Sequence, residues 1–171
     1  MTLSSWGVIA DVVSALCVVI SLIYLSLQVR QNTKQMKLQA HKILREEYLK
    51  NIDNCTGNKE NSEIFIRGLN QFNSMTSIEQ ASFHSLMHPV VHGFHAVLES
   101  NKGGLVSEED IQAALRQLLS LIITPGGQAW WKSFNHLPPP EIVNFINNSI
   151  TKYDGQIIPA TESIPWYKDS V

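Results

Sequence analysis

Residues 8–27 read Val8-Ile9-Ala10-Asp11-Val12-Val13-Ser14-Ala15-Leu16-Cys17-Val18-Val19-Ile20-Ser21-Leu22-Ile23-Tyr24-Leu25-Ser26-Leu27. Asp11 is the one charge in these 20 residues. As a helix they rise roughly 30 Å, about one hydrocarbon thickness. The stretch therefore reads as a transmembrane helix. A cleaved signal peptide would need a basic start and a small-x-small cleavage site. Here no Lys or Arg precedes Arg30, and no Ala-x-Ala follows the run. A buried core helix would be shorter and bounded by turn signals. This one runs on through Gln28-Val29-Arg30-Gln31-Asn32-Thr33-Lys34 without Gly or Pro. An interfacial helix would show a strongly polar face, which is absent.

The flanks give the orientation. The first 29 residues hold no Lys or Arg, and then Arg30, Lys34, Lys37, Lys42 and Arg45 follow at once. The excess of cations on one side predicts an outside N-terminus and a cytoplasmic C-terminal body. The basic block can also meet anionic headgroups. Trp6 suits an aromatic anchor at one interface; Tyr24 lies about a turn inside the other end.

Within the span, Gly7, Asp11, Ser14, Ser21 and Gln28 recur at steps of four, three, seven and seven. A period of about 3.5 residues puts them on one stripe. Small and polar residues let helices approach closely and hydrogen-bond in lipid. This seam points to self-association. An alternative is a polar pathway around Asp11, the ionisable group of the span.

The body that follows suffices for one modest domain. Net charge over the 171 residues is −2, unevenly divided. Residues 30–50 carry six basic and two acidic side chains, and residues 51–171 carry seven basic and twelve acidic. An acidic body argues against nucleic acid as a partner. Cys17 lies in the span and Cys55 far beyond it, so the two form no disulfide framework. Asn54-Cys55-Thr56 and Asn147-Asn148-Ser149 match the glycosylation pattern, but a cytoplasmic body would not use them.

The periodicity predicts helices throughout and no strand. Val29, Met36, Ala40, Ile43 and Leu44, extended by Tyr48 and Ile52, form an apolar stripe beyond the span. The continued helix would cover about 45 residues and roughly 65 Å. Its stripe is expected either to pack on the domain or to pair with another copy. Residues 53–62 read as a polar loop, and Glu63 to Phe72 as a short helix. Thr76-Ser77-Ile78-Glu79 is a capping-box pattern that opens a helix to about Ser100, with a kink expected at Pro89. Ser107-Glu108-Glu109-Asp110 caps the next, and Thr124-Pro125 starts a short aromatic helix. Pro138-Pro139-Pro140 begins the last. The expected organisation is an anchor over 1–29, a helical domain over 30–155 and an extended tail over 156–171. The fold class is all-α: one N-terminal transmembrane helix that continues into a long cytoplasmic helix packed on a small helical bundle.

Three places carry a resemblance, two of them distinctive and the third, the helix before Gly103, matching only in its apolar spacing. Tyr24-Leu25-Ser26-Leu27-Gln28-Val29-Arg30-Gln31-Asn32-Thr33 resembles the end of the span in a widespread group of small, uncharacterised bacterial membrane-anchored proteins. Pro125-Gly126-Gly127-Gln128-Ala129-Trp130-Trp131 is similar to that group's Pro-Gly-x-Arg-x-Trp-Trp signature, with Gln128 where Arg is usual. The resemblance implies an anchor in a bacterial inner membrane and a soluble helical body. It implies no activity.

Three local features bear on chemistry. His84, His88, His92 and His95, with Glu99, fall at steps of four, four, three and four. Histidines at i and i+4 can chelate Zn²⁺, and His88, His92 and His95 are the candidate ligand set. His84 and His95 lie about 16 Å apart along a regular helix, so all four cannot share one ion. The other reading is a polar flank covered by a neighbouring helix. Pro125-Gly126-Gly127 could offer backbone N–H groups to an anion, but the Lys-Ser/Thr of a phosphate loop is missing, and capping is the simpler role. Trp130 and Trp131 are adjacent, so one is expected in the core and the other at a rim. No cofactor motif is present. The sequence thus points to a non-enzymatic, self-associating, membrane-anchored interaction or scaffold module whose protein partner it does not name. A small oligomeric pore lined by the polar face of the span, and a metal-binding enzyme on the His84–His95 helix, are the alternatives.

Overall fold

From Leu3 to Thr56 the sequence holds one glycine and no proline, so nothing in it forbids a continuous helix. In a computed structural model of the chain this stretch is a single helix of 54 residues, α1 (Leu3–Thr56). The structure describes residues 3–167, with the side chains of residues 3–6, 8 and 9 excepted. The interfacial role expected of Trp6 lies outside those described side chains. Two compact units divide the chain, Met1–Ala40 and His41–Val171.

In the first unit every described side chain from Ala10 to Gln39 is exposed. Val12, Leu16, Ile20, Ile23 and Leu27 each keep more than half of their surface open. A run of large apolar side chains in that state belongs in an apolar medium. Among the described residues this is the one helix long and apolar enough to cross a membrane. It fits a single-pass anchor.

The second unit takes in the last turns of α1, six further helices and two 3₁₀ turns, with no strand among the described residues. Gly57 ends α1, its N–H closing on Asp53 O, and Asn58 then caps α2 (Lys59–Gln71) by accepting from Asn61 N at 2.8 Å. The expected loop over 53–62 is therefore two residues, Gly57 and Asn58. Propensity counted the polar side chains as loop, but one Asx cap suffices to restart a helix. A 3₁₀ turn (Phe72–Ser74) leads to Thr76 and Glu79, which form the expected reciprocal cap of α3 (Ser77–Lys102). This helix continues through Pro89. Gly104, at φ +67°, turns the chain out of it. Ser107 and Asp110 cap α4 (Glu108–Ile122), and Thr124 caps α5 (Pro125–Phe134). The last long helix is α6 (Pro140–Lys152).

From Gln156 to Tyr167 the chain is not the extended tail that its prolines suggested; residues 168–171 of that expectation lie outside the described residues. The described part forms α7 (Ala160–Ser163) and a 3₁₀ turn, Pro165–Tyr167. Ala160 and Thr161 are buried, and Tyr167 sets its ring edge-on to Phe65 at 5.6 Å. Asn70 Nδ2 donates to Tyr167 O at 2.9 Å. Buried apolar area and a tertiary hydrogen bond outweigh a locally unstructured sequence.

The core runs between α2, α3, α4 and α5. Phe83 and Leu69 are fully buried at its centre, and Trp130 nearly so. Ile111, Leu115, Leu118, Leu119 and Ile122, which recur at helical spacing along α4, are all buried. Trp130 and Trp131 are both buried, at 1% and 4% exposure, against the expectation that one would sit at a rim. Neighbours on a helix point about 100° apart. Here α5 is covered on two sides: Trp130 meets Phe83 and His84 of α3, while Trp131 Nε1 donates to Asn147 Oδ1 of α6 at 2.9 Å.

Candidate functional site

Four places are candidates for function. The first is the seam of the span. Gly7 has open space around its Cα, and Asp11, Ser14, Ser21 and Gln28 are all exposed. Ser21 Oγ donates to Cys17 O at 2.8 Å and Gln28 Nε2 donates to Tyr24 OH at 2.9 Å, both within α1. Such local bonds quiet polar atoms in lipid while leaving the face available to another helix. Arg30, Lys34, Lys37 and Arg45 are exposed, and Lys42 faces Glu46 at 3.7 Å.

The second is the histidine row of α3. His88 and His92 meet Nε2 to Nε2 at 2.9 Å, so one ring donates while the other accepts. His84 Nδ1 accepts from Trp130 Nε1 at 3.3 Å, and its ring lies edge-on to Phe134 at 4.9 Å. His88 also meets Phe134, at 5.5 Å. Burial pushes the pKa of both His84 and His88 below the ordinary histidine value; for His88 the neighbouring histidines add to it. His95 sits apart from this cluster, with Nε2 3.7 Å from Glu99 Oε1. Glu99 continues through Lys102 to Glu141 of α6, at 2.9 and 3.1 Å. Of the candidate ligand set, the structure thus brings together His88 and His92 and turns His95 to a carboxylate. Among the described residues no three metal-ligating side chains converge.

The third is the Pro-Gly-Gly turn. Gly127 N donates to Thr124 Oγ1 at 3.0 Å, so the cap itself takes that N–H. Gly126 has a packing role that the sequence did not disclose. A Cβ there would collide with the backbone of Gly68, and one on Gly68 would enter the Phe83 ring. These two glycines let α5 and α2 cross backbone to backbone.

The fourth place, unread from the sequence, is a half-open cavity of about 940 Å³ lying wholly in the second unit. One wall is the end of α1, with Leu44, Tyr48 and Ile52. The other walls come from α3 (Phe94, Val97), from α4 (Ala114, Leu121) and from Trp166 and Tyr167 after α7. The lining is mostly apolar. At one end His41 Nε2 stands 3.9 Å from Asp110 Oδ2. Deeper in, Cys55 is 5% exposed, and burial pushes its thiol up to about 11. It is a packed side chain, its Sγ 3.9 Å from Leu86 O. Burial likewise raises the Tyr167 phenol, with Cys55 and Tyr48 close enough to add to it.

Small residues keep this cavity open. Gly93, Ala113 and Ala114 all line it. A Cβ on Gly93 would meet only Asn51 Nδ2 at 3.8 Å. No contact in the fold requires glycine there, although glycine inside a helix costs about 1 kcal/mol relative to alanine. The signal in the sequence was present but diffuse: an apolar stripe on α1 opposite two adjacent alanines on another helix. Volume and apolar lining match those of small-molecule sites.

No family model matches this chain, and no curated protein or solved structure does.

Proposed function

We propose that this protein is a single-pass, membrane-anchored helical module that self-associates through its span and works by binding, not by catalysis. The observation that carries the reading is the state of α1. Its large apolar side chains between Val12 and Val29 are each more than half exposed. Ser14, Ser21 and Gln28 of the seam lie within the same stretch, and Gly7 and Asp11 just before it. Lipid accounts for the first property and a second helix for the second. The resemblance in residues 24–33 and 125–131 supports a bacterial inner membrane, and the cations from Arg30 to Arg45 support an outside N-terminus.

Crosslinking of the full chain in native membranes tests this. Wild type should give a defined oligomer, and Ser14→Leu with Ser21→Leu should reduce it to monomer while the protein stays in the membrane fraction. An oligomer unchanged by both substitutions refutes the seam. Wild-type protein recovered from the supernatant without detergent refutes the anchor.

A further inference from the structure

We propose that the 940 Å³ cavity of the second unit binds an acyl chain of a zwitterionic, amine-bearing membrane phospholipid. The inference goes beyond self-association and rests on the anchored reading only for the supply of ligand.

Three observations select this occupant. First, the interior is apolar and its charges lie with the residues of α1 and the start of α4. No buried side-chain N or O atom in the described residues lacks a hydrogen-bond partner, so the interior asks for no polar ligand group. Hydrocarbon is the chemistry that gains most there.

Second, the charges are of both signs, and two of them are unpaired. Arg45 and Glu47 both line the cavity, and neither makes an ion pair among the described residues. Two residues apart on a helix, they do not face each other. Asp110 adds a second carboxylate, one oxygen of which is held by the Ser107 cap. A headgroup that carries both a phosphate and an ammonium offers a partner to each sign of charge at the rim; a carboxylate or a phosphodiester without an amine offers one to only one sign.

Third, Gly93 lines the cavity with room for a Cβ, which would meet only Asn51 Nδ2 at 3.8 Å, and Ala113 and Ala114 line it with minimal side chains. An occupant explains the economy of side chain at these positions.

The test is photolabelling of the full chain in nanodiscs doped with phosphatidylethanolamine that carries a diazirine on one acyl chain. Peptides are then mapped by mass spectrometry. Labels are expected in the span and, separately, in peptides holding residues 44–52, 90–97 and 113–121. The second set should be suppressed by excess unlabelled phosphatidylethanolamine and spared by phosphatidylglycerol of the same chains. Gly93→Leu fills the cavity with a better helix former and should abolish the second set while leaving span labels intact. Arg45→Glu should weaken competition about tenfold or more, as for loss of a charged hydrogen bond. Helical content and cooperative melting verify that each variant is folded. Labels confined to the span, or cavity labels indifferent to Gly93→Leu, overturn the proposal. Equal competition by phosphatidylglycerol overturns the headgroup assignment. Absence of span labels refutes the anchor instead, so the two failures are told apart.

Discussion

Trp130 Nε1 donates to His84 Nδ1 across 3.3 Å, tying α5 to α3 and fixing which nitrogen of His84 is bare. Protonation would turn that acceptor into a second donor facing the indole N–H. Burial already holds His84 and His88 below the usual histidine pKa. The unfolded chain then binds more protons than the folded one below about pH 6.5, so stability is full above that value and falls as pH drops through it. The thermal midpoint, followed by tryptophan fluorescence, should decline from pH 7 to pH 5. His84→Gln, whose amide oxygen can still accept, should remove part of that slope. Identical slopes in both proteins would contradict the assignment.

The Gly68–Gly126 crossing predicts an asymmetry among glycines. Gly126→Ala places a methyl group against the Gly68 backbone and should cost at least about 1–3 kcal/mol, as overpacking does. Gly93→Ala meets only Asn51 at 3.8 Å and should gain up to about 1 kcal/mol. Denaturant midpoints of the two variants should move in opposite directions.

Thr76 accepts from Glu79 N and returns the favour through Glu79, whose carboxyl is held below its ordinary pKa first by the Thr76 backbone N–H and then by its hydroxyl. Thr76→Ala should lower stability by about 1 kcal/mol, read from the denaturant midpoint. A loss of less than a few tenths would mean that the cap is replaced by solvent.

Cys55 should resist maleimide in the folded protein at pH 8, since its thiol is buried and pushed up to about 11. In a Cys17→Ala background, labelling should become fast only on adding denaturant. Rapid labelling without denaturant would show that the α1 end opens readily.

Much of this architecture is legible in local pattern. Caps at Thr76, Ser107 and Thr124 appear where hydroxyl, acidic and proline residues announced them, because capping is decided within four residues. The inward faces of α3 and α4 follow from a period of about 3.6 residues. What escaped reading is relational. Trp131 is buried because α6 supplies Asn147, and Gly126 is needed because α2 supplies Gly68. Neither partner is near in sequence. The cavity escaped for the same reason: Leu44, Gly93 and Ala114 belong to three helices, and an empty volume leaves no residue to notice. The histidine row shows the converse. Its spacing was plain, but the direction of each ring was set by Phe134 and Glu99.

The bond from Asn70 to Tyr167 joins residues 97 positions apart. At about 5–20 residues per second, a ribosome needs roughly 5–20 s to travel between them. Through that interval Phe65 and its neighbours on α2 have been made but their last cover has not. A nascent chain in that condition is a client for whatever holds unfinished proteins, and a chain truncated before Tyr167 would stay one.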